Sequence, residues 1–141
     1  MHKKTSFYTA CWEIKPNSLI CNEPGDTWFL PLYSFANGMT RFSRYAFNNW
    51  SEVNLKDARN SEVPPGDAFF IYPGSRTSVR FEKLKEGIST ALKFSQLINE
   101  ARNKGDKQMG KKLEALLMRL KPFESPSDLL IKEEENTLNK F

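Results

Sequence analysis

The chain has 141 residues, of which 39% are apolar and 13% aromatic, and this composition is typical of one folded domain, not of a disordered segment. Its formal charge of +4 comes from Lys and Arg residues spread along the sequence, which argues against a nucleic-acid-binding role. No apolar stretch is long enough to cross a bilayer, and no signal-peptide pattern follows Met1.

Cysteine and histidine are scarce, with Cys11, Cys21 and His2 as the whole set. Their spacing does not match a zinc site, and without an internal histidine Cys11 is better interpreted as a buried thiol than as a nucleophile. A disulfide between the two cysteines stays open at this point. We therefore predict no metal and no cofactor.

The first part of the chain predicts a strand followed by a helix. Residues 5–12 form a near-continuous run of apolar and strand-favouring side chains, which is typical of a strand covered on both faces. Residues 27–39 place apolar side chains at helical spacing, with Asp26 or Thr27 as the N-cap. Pro31 is then expected in the first turn of this helix, where proline is tolerated.

Two further strands are predicted on either side of a polar loop. Residues 41–48 and 67–72 are the strands, and residues 51–65 are the loop between them. Pro73-Gly74 cannot continue a central strand, and a helix then begins near Ser78, whose hydroxyl can cap it. This order puts the last strand's carboxyl end next to a helix start, where open sheets and barrels keep ligand sites.

Two amphipathic helices follow as a predicted helical hairpin over residues 79–122, with its turn at residues 104–106. One apolar face is marked by Phe81, Leu84, Ile88, Leu92 and Ile98, and the other by Met109, Leu113, Leu116, Leu117 and Leu120. Residues 123–141 are a polar tail, for which a short helix and a frayed end are both compatible with the sequence.

The alternation of strands and helices in residues 1–78 favours an α/β fold with parallel pairing. Three parallel strands leave long edges open, which soluble proteins avoid. The sheet is therefore expected to be incomplete on its own. Either a homo-oligomer partner completes it, or these residues are the last part of a larger α/β domain.

Four blocks of sequence, in order, resemble the carboxyl-terminal part of glycoside hydrolase family 123 and its relatives. They are FYTACWE with KPN within residues 7–17, RYAFNNW at 44–50, GDAFFIYPG at 66–74 and SVRFEKLKEGI at 78–88. The resemblance covers roughly residues 5–100 and implies the last strands and helices of a (β/α)8 barrel followed by a helical extension. Relatives of this type are often exported.

The resemblance also implies the chemistry of an exo-acting β-N-acetylgalactosaminidase, in which the substrate's acetamido group attacks the anomeric carbon. In the family an adjacent Asp-Glu pair supports this step, with Asp orienting the acetamido group and Glu serving as general acid and base. That pair lies upstream of the resembled segment, and no Asp-Glu dipeptide occurs in this sequence. Acidic residues that commonly follow the Glu-Gly-Ile block are replaced here by Ser89 and Thr90.

Candidate saccharide-binding residues lie near predicted strand ends. Trp50 follows the second strand beside Asn48 and Asn49, and an indole stacks on the apolar face of a pyranose while amides hydrogen-bond its hydroxyls. The other interpretation of Trp50 is an aromatic side chain packed under the following loop. Tyr72 has the same position at a strand end, and its alternative is a buried tyrosine bonded to the backbone.

Four more candidates come from the first two strands: Tyr8, Trp12, Glu13 and Tyr45. Glu13 is either a site carboxylate or the ion-pair partner of an arginine. Tyr45 and Arg44 point to opposite faces of their strand, so at most one of them lines a barrel lumen. Arg80 and Glu82 are interpreted as anchors of the helix that follows Pro73-Gly74.

The leading interpretation is the terminal portion of a glycoside hydrolase acting on N-acetylhexosamine-containing glycans. Such a portion contributes saccharide-subsite residues but lacks the catalytic Asp-Glu pair, so the chain alone is expected to be inactive. The alternative is a non-catalytic carbohydrate-binding or protein-interaction module derived from such a barrel. The expected partners are a carbohydrate and either the missing amino-terminal barrel segment or a second copy that completes the sheet, with no nucleic acid and no membrane.

Overall fold

The computed structural model describes residues 4–11, 15–59, 63–126 and 128–140. The elements in these residues are β1 (Ser6–Tyr8), α1 (Pro24–Ala36), β2 (Arg41–Ser43), α2 (Glu52–Lys56), a 3-10 turn (Pro73–Ser75), α3 (Val79–Lys104), α4 (Lys107–Arg119) and α5 (Asp128–Leu138). The fold is α/β, with helices dominating and a small sheet. The loop predicted at residues 51–65 therefore contains the short helix α2.

Strands β1 and β2 pair in parallel, as the sequence predicts, with Ser6 opposite Arg41 and Tyr8 opposite Ser43. Helix α1 is the crossover between them, so the three elements form one β-α-β unit. Each strand is three residues long, shorter than predicted. Within the described residues the sheet has two strands and does not close.

The prediction of a strand at residues 67–72 is wrong. The segment forms an isolated antiparallel bridge through Phe69 to Asn48, without a strand ladder. Side chains take several of its backbone carbonyls: Asp67 O accepts from Arg44, Phe69 O from Arg80 and Phe70 O from Ser78. Consecutive side chains from 66 to 70 are all buried, so the run lacks the alternation of a half-covered strand.

Helix α1 begins at Pro24, earlier than predicted, and ends at Ala36. Proline suits this first position, because its fixed φ is helical and its missing N–H would have no partner there. The prediction of Asp26 or Thr27 as the N-cap is wrong, since both lie inside the helix and are buried. Pro31 consequently lies in the helix interior and not in the first turn.

The start of α3 and the turn into α4 are confirmed. Ser78 Oγ accepts a hydrogen bond from Phe81 N at 3.1 Å and caps α3. Gly105 ends α3 with a left-handed φ of 67°, a conformation that costs glycine little. Asp106 Oδ1 then accepts from Met109 N at 2.9 Å and caps α4.

The predicted apolar face of α3 is wrong in part, because Ile88 is 45% exposed and Leu92 is 65% exposed. The side chains that α3 buries are Arg80, Leu84, Gly87, Ala91, Phe94, Leu97 and Ala101. Gly87 decides this orientation, since a Cβ there would overlap the carbonyl oxygen of Trp28 on α1. Small residues thus allow α1 and α3 to approach closely and turn the larger aliphatic residues outward.

Helices α1, α3, α4 and α5 share one apolar core. Its buried members are Trp28, Phe29, Leu32, Ala91, Phe94, Leu97, Ala101, Leu113, Leu116, Leu120 and Leu138. The polar tail therefore forms a short helix, α5, which the sequence left open against a frayed end. None of the described helices combines the length and the apolar character that a bilayer-spanning segment needs.

Candidate functional site

The carboxyl ends of β1 and β2 lie side by side, because the strands are parallel with Tyr8 opposite Ser43. In parallel sheets this edge is where ligand sites are commonly built. Tyr8 and Tyr45 expose their side chains, while their neighbours Thr9 and Arg44 turn inward. We call the surface formed by Tyr8, Tyr45 and the segment up to residue 50 the carboxyl edge.

Arg44 lies beneath the carboxyl edge and forms a buried ion pair with Asp67. Its Nη2 is 2.8 Å from Asp67 Oδ1, and the two side chains are 6% and 4% exposed. Its Nη1 donates to Asn17 Oδ1 at 2.9 Å and to Ser18 Oγ. Because a buried charge is costly unless it is paired and hydrogen-bonded, this set of partners fixes the loops that carry them.

Arg80, in the first turn of α3, is a second buried guanidinium. It donates to three backbone carbonyl oxygens, those of Ser18 at 2.7 Å, Gly66 at 2.9 Å and Phe69 at 2.8 Å. Gly66 is required at this turn, since its φ is 89° and a Cβ would lie 2.7 Å from Arg80 Nη1. The prediction that Arg80 anchors its helix is confirmed by these bonds.

The two arginines share the ring of Phe70. Each guanidinium carbon lies 5.2 Å from the ring centroid, which is a cation–π distance. Burial lowers the pKa of both arginines, with Asp67 opposing this for Arg44 and Tyr72 opposing it for Arg80. Arginine nevertheless stays protonated in proteins, so the group of two arginines and Asp67 carries a net positive charge.

Two of the predicted tyrosines lie close to the arginine pair. Tyr72 is half-buried, meets the ring of Phe69 edge-on with 5.4 Å between the ring centroids, and partly offsets the lowering of the Arg80 pKa by burial. Tyr8 has the same electrostatic effect on Arg44, while its own side chain remains exposed. Each of these two tyrosines thus neighbours one of the two buried arginines.

Three further predicted residues, Asn48, Asn49 and Trp50, lie on the segment that follows β2. Asn48 and Asn49 are exposed, and their backbones pair with residues 68–69. Trp50 is half-buried, and its indole Nε1 is buried with no hydrogen-bond partner among the described residues. Two predicted residues lie outside the part of the chain that the structure describes: Trp12 and Glu13.

Comparison with known protein families shows which family the chain belongs to. The family model for glycoside hydrolase 123, catalytic domain, matches residues 1–97. The chain belongs to glycoside hydrolase family 123. Its function is accordingly of the glycoside hydrolase type, and the match contains the carboxyl edge and the arginine pair but not α4 or α5. A comparison with the curated proteins gave no match.

Sequence reasoning missed the ion pair of Arg44 with Asp67 in this family 123 domain. The two residues are far apart in the chain, and a single sequence does not mark such pairs. The sequence signal that could have indicated the pair is one charged residue in each of two aromatic-rich blocks, Arg44 in RYAF and Asp67 in GDAFF. Arg44 and Tyr45 were predicted on opposite faces of one strand, but β2 ends at Ser43; beyond it Arg44 is buried and Tyr45 is exposed.

The groups available at the carboxyl edge of this family 123 domain are aromatic rings, amides and hydroxyls. Within the described residues, His, Cys, Asp and Glu side chains form no group of three or more that could hold a metal ion. Cys11 is half-buried and Cys21 is exposed, and both are free thiols. The arrangement is chemically suited to binding a polar ligand that has an apolar face.

Proposed function

We propose that this chain contributes part of the saccharide-binding surface of a glycoside hydrolase that acts on N-acetylhexosamine-containing glycans. The observation that carries the proposal is the exposure of aromatic and amide side chains at the carboxyl edge of a family 123 domain. Tyr8, Tyr45, Asn48 and Asn49 are exposed there, and Trp50 is half-buried beside them.

The side chains of the carboxyl edge complement the chemistry of an N-acetylhexosamine. An aromatic ring covers the apolar face of a pyranose, and an Asn amide both donates to and accepts from sugar hydroxyls and an acetamido group. Arg44 and Arg80 are buried and occupied by protein partners, so we assign them to positioning the edge and not to contacting the substrate.

We further propose that the catalytic Asp-Glu pair of the family is supplied from outside this chain. Catalysis needs a carboxyl group within hydrogen-bond reach of the glycosidic oxygen. Asp67 lies beneath the edge, but it is 4% exposed and paired with Arg44 at 2.8 Å, so it does not reach a bound sugar. No Asp-Glu dipeptide occurs in the sequence.

We propose that further strands complete the sheet in the manner of the (β/α)8 barrel that the resemblance implies. Within the described residues β1 and β2 pair with each other alone, so each has an unpaired edge. An apolar groove of about 670 Å³ lies beside β2 and includes Phe42, Ile88 and Leu92. We assign this place to the rest of a barrel, and a second copy of the chain is the other candidate partner.

Light scattering of the isolated chain tests the proposed completion of the sheet. Because the edges are open, we expect the isolated chain to self-associate as concentration rises. A compact monomer at every concentration contradicts this expectation.

Calorimetric titration with N-acetylgalactosamine tests the binding role of the carboxyl edge. We expect Trp50→Ala and Tyr45→Ala each to weaken binding about fivefold, because a lost aromatic contact costs about 1 kcal/mol. Met118→Ala is the matched control, since it removes an exposed apolar side chain from α4, outside the family match. Equal affinities for all three variants contradict the proposed surface.

Assays with an aryl N-acetyl-β-galactosaminide test the assignment of the catalytic pair. The pure chain is expected to show no turnover, and restored turnover is expected when an upstream barrel segment carrying an Asp-Glu pair is added. Clear hydrolysis by the pure chain contradicts the absence of the pair. Sugar binding by a stable free-standing monomer would favour the alternative of a non-catalytic binding module.

A further inference from the structure

Glu134 on α5 is a fully buried carboxylic acid without a hydrogen bond. Its side chain is 0% exposed, and neither Oε1 nor Oε2 has a hydrogen-bond partner in the described residues. Arg119 Nη1 on α4 lies 3.4 Å from Oε1. The hydrogen bond of Arg119 goes instead to Glu133 Oε2, at 2.7 Å. A carboxylate with so few partners is costly to bury in its ionised form.

Helix α5 is attached to the rest of the molecule by contacts on either side of Glu134. Leu138, one turn further on, is 2% exposed and belongs to the apolar core. Ile131 packs against the start of α1, where a Cβ at Gly25 would lie 2.8 Å from its Cδ1. Lys93 on α3 donates to the Asn139 side chain at 2.8 Å. Docking of α5 therefore buries Glu134, and undocking returns its carboxyl group to water.

The charged groups around Glu134 compensate its burial only in part. Burial raises the pKa of Glu134 to about 7, Arg119 opposes this rise, and Glu133 adds to it. Asp26 in the first turn of α1 is held by Asn22 at 3.0 Å. The charged side chains of α3 along its groove with α5 are Glu82, Lys85, Glu86 and Lys93.

We propose that α5 is a pH-sensitive helix, which docks on the core while Glu134 is a neutral acid and loosens when Glu134 ionises. This role lies outside the family 123 match, which ends at residue 97. It is independent of the proposed saccharide surface, because α5 contributes nothing to the carboxyl edge. Loosening of α5 also uncovers the apolar side chains of Ile131 and Leu138.

The direction of the effect follows from the raised pKa of Glu134. The docked state keeps the proton up to about pH 7, whereas a free glutamic acid loses it near 4.5. The contribution of Glu134 to docking is therefore complete below pH 4.5 and is lost as the pH rises through about 7. Between these values the ratio of docked to undocked α5 falls up to about tenfold per pH unit.

Hydrogen exchange of the full chain between pH 5 and pH 8, corrected for intrinsic exchange rates, tests the proposal. We expect the amides of residues 130–138 to lose protection at least tenfold, while those of residues 87–101 in α3 keep theirs. Glu134→Gln, which is neutral at every pH, is expected to abolish the loss. Glu135→Gln is the matched control on the same helix and should retain it.

The proposal is overturned if the α5 amides of the wild-type chain are equally protected at pH 5 and pH 8. It is also overturned if Glu134→Gln loses as much protection between these pH values as the wild-type chain. Carbon-13 titration of the Glu134 carboxyl group in the wild-type chain needs no variant. A midpoint near 7 supports the proposal, and a midpoint near 4.5 overturns it even if Glu134→Gln does not fold.

Discussion

The carboxyl edge and the helical core bury charge in opposite ways. Beneath the edge, Arg44 has a carboxylate, an amide and a hydroxyl as partners, and Arg80 has three backbone carbonyls. In the helical core, Glu134 has no hydrogen bond within the described residues. A buried charge therefore rigidifies a fold when hydrogen-bond partners surround it. A buried carboxyl group without such partners instead makes the stability of its surroundings depend on pH.

Removal of Arg44 is expected to have the largest effect on stability. Arg44→Met leaves Asp67 buried without its ion-pair partner, and we expect a loss of about 4 kcal/mol in the free energy of unfolding. Urea denaturation measures it. Arg59→Met is the control, because Arg59 forms its ion pair with Asp57 at the surface, where the two side chains are 85% and 33% exposed. The urea midpoint of Arg59→Met should equal that of the wild-type chain.

A double variant sharpens this prediction. Arg44→Met combined with Asp67→Asn removes the leftover charge, so it should be more stable than Arg44→Met alone. If Arg44→Met and Arg59→Met shift the urea midpoint equally, the buried ion pair does not hold the loops beneath the carboxyl edge.

The close approach of α1 and α3 gives the next largest effect. Gly87→Ala places a Cβ against the Trp28 carbonyl oxygen, and we expect a loss of about 3 kcal/mol in the free energy of unfolding. Gly110→Ala is the matched control within α4, where a Cβ meets nothing within 4 Å, and it should stabilise by about 0.5 to 1 kcal/mol. A neutral or stabilising Gly87→Ala would show that the helices do not pack this closely.

Neutralisation of Glu134 gives the smallest effect and the one with a pH dependence. Because burial raises the pKa of this carboxyl group to about 7, Glu134→Gln should stabilise the chain by about 2 kcal/mol at pH 8, a value that allows for solvent screening. Near pH 5 the gain should be much smaller, since the loss of stability begins only as the pH rises above 4.5, where the carboxyl group of the unfolded chain ionises. Thermal unfolding at both pH values measures the gain, and equal gains contradict the account.

The parts of the fold that local chemistry determines could be predicted from the sequence. Capping preferences indicate that α3 begins after Ser78 and α4 after Asp106. The preference of glycine for a left-handed backbone indicates that α3 ends at Gly105. The parallel pairing of β1 and β2 followed from the crossover helix between them.

The errors arose where tertiary contacts override local patterns. Residues 67–72 have the composition of a strand, but the carbonyls of Asp67 and Phe69 accept from the side chains of Arg44 and Arg80. The orientation of α3 depends on Gly87 facing Trp28, a contact between two helices that no helical periodicity reveals. For the same reason the Arg44–Asp67 pair beneath the carboxyl edge could not be predicted, whereas the role of the exposed aromatic and amide residues of that edge stays a prediction.

We propose that the carboxyl edge of this family 123 chain binds an N-acetylhexosamine. The most direct measurement is a two-dimensional ¹⁵N NMR titration with N-acetylgalactosamine, followed at the tryptophan indole signals. We expect the Trp50 signal to shift as the sugar saturates the chain, while the signal of Trp28, which is fully buried in the helical core, does not move. An unmoved Trp50 signal at saturating sugar, or equal shifts of Trp50 and Trp28, would contradict it.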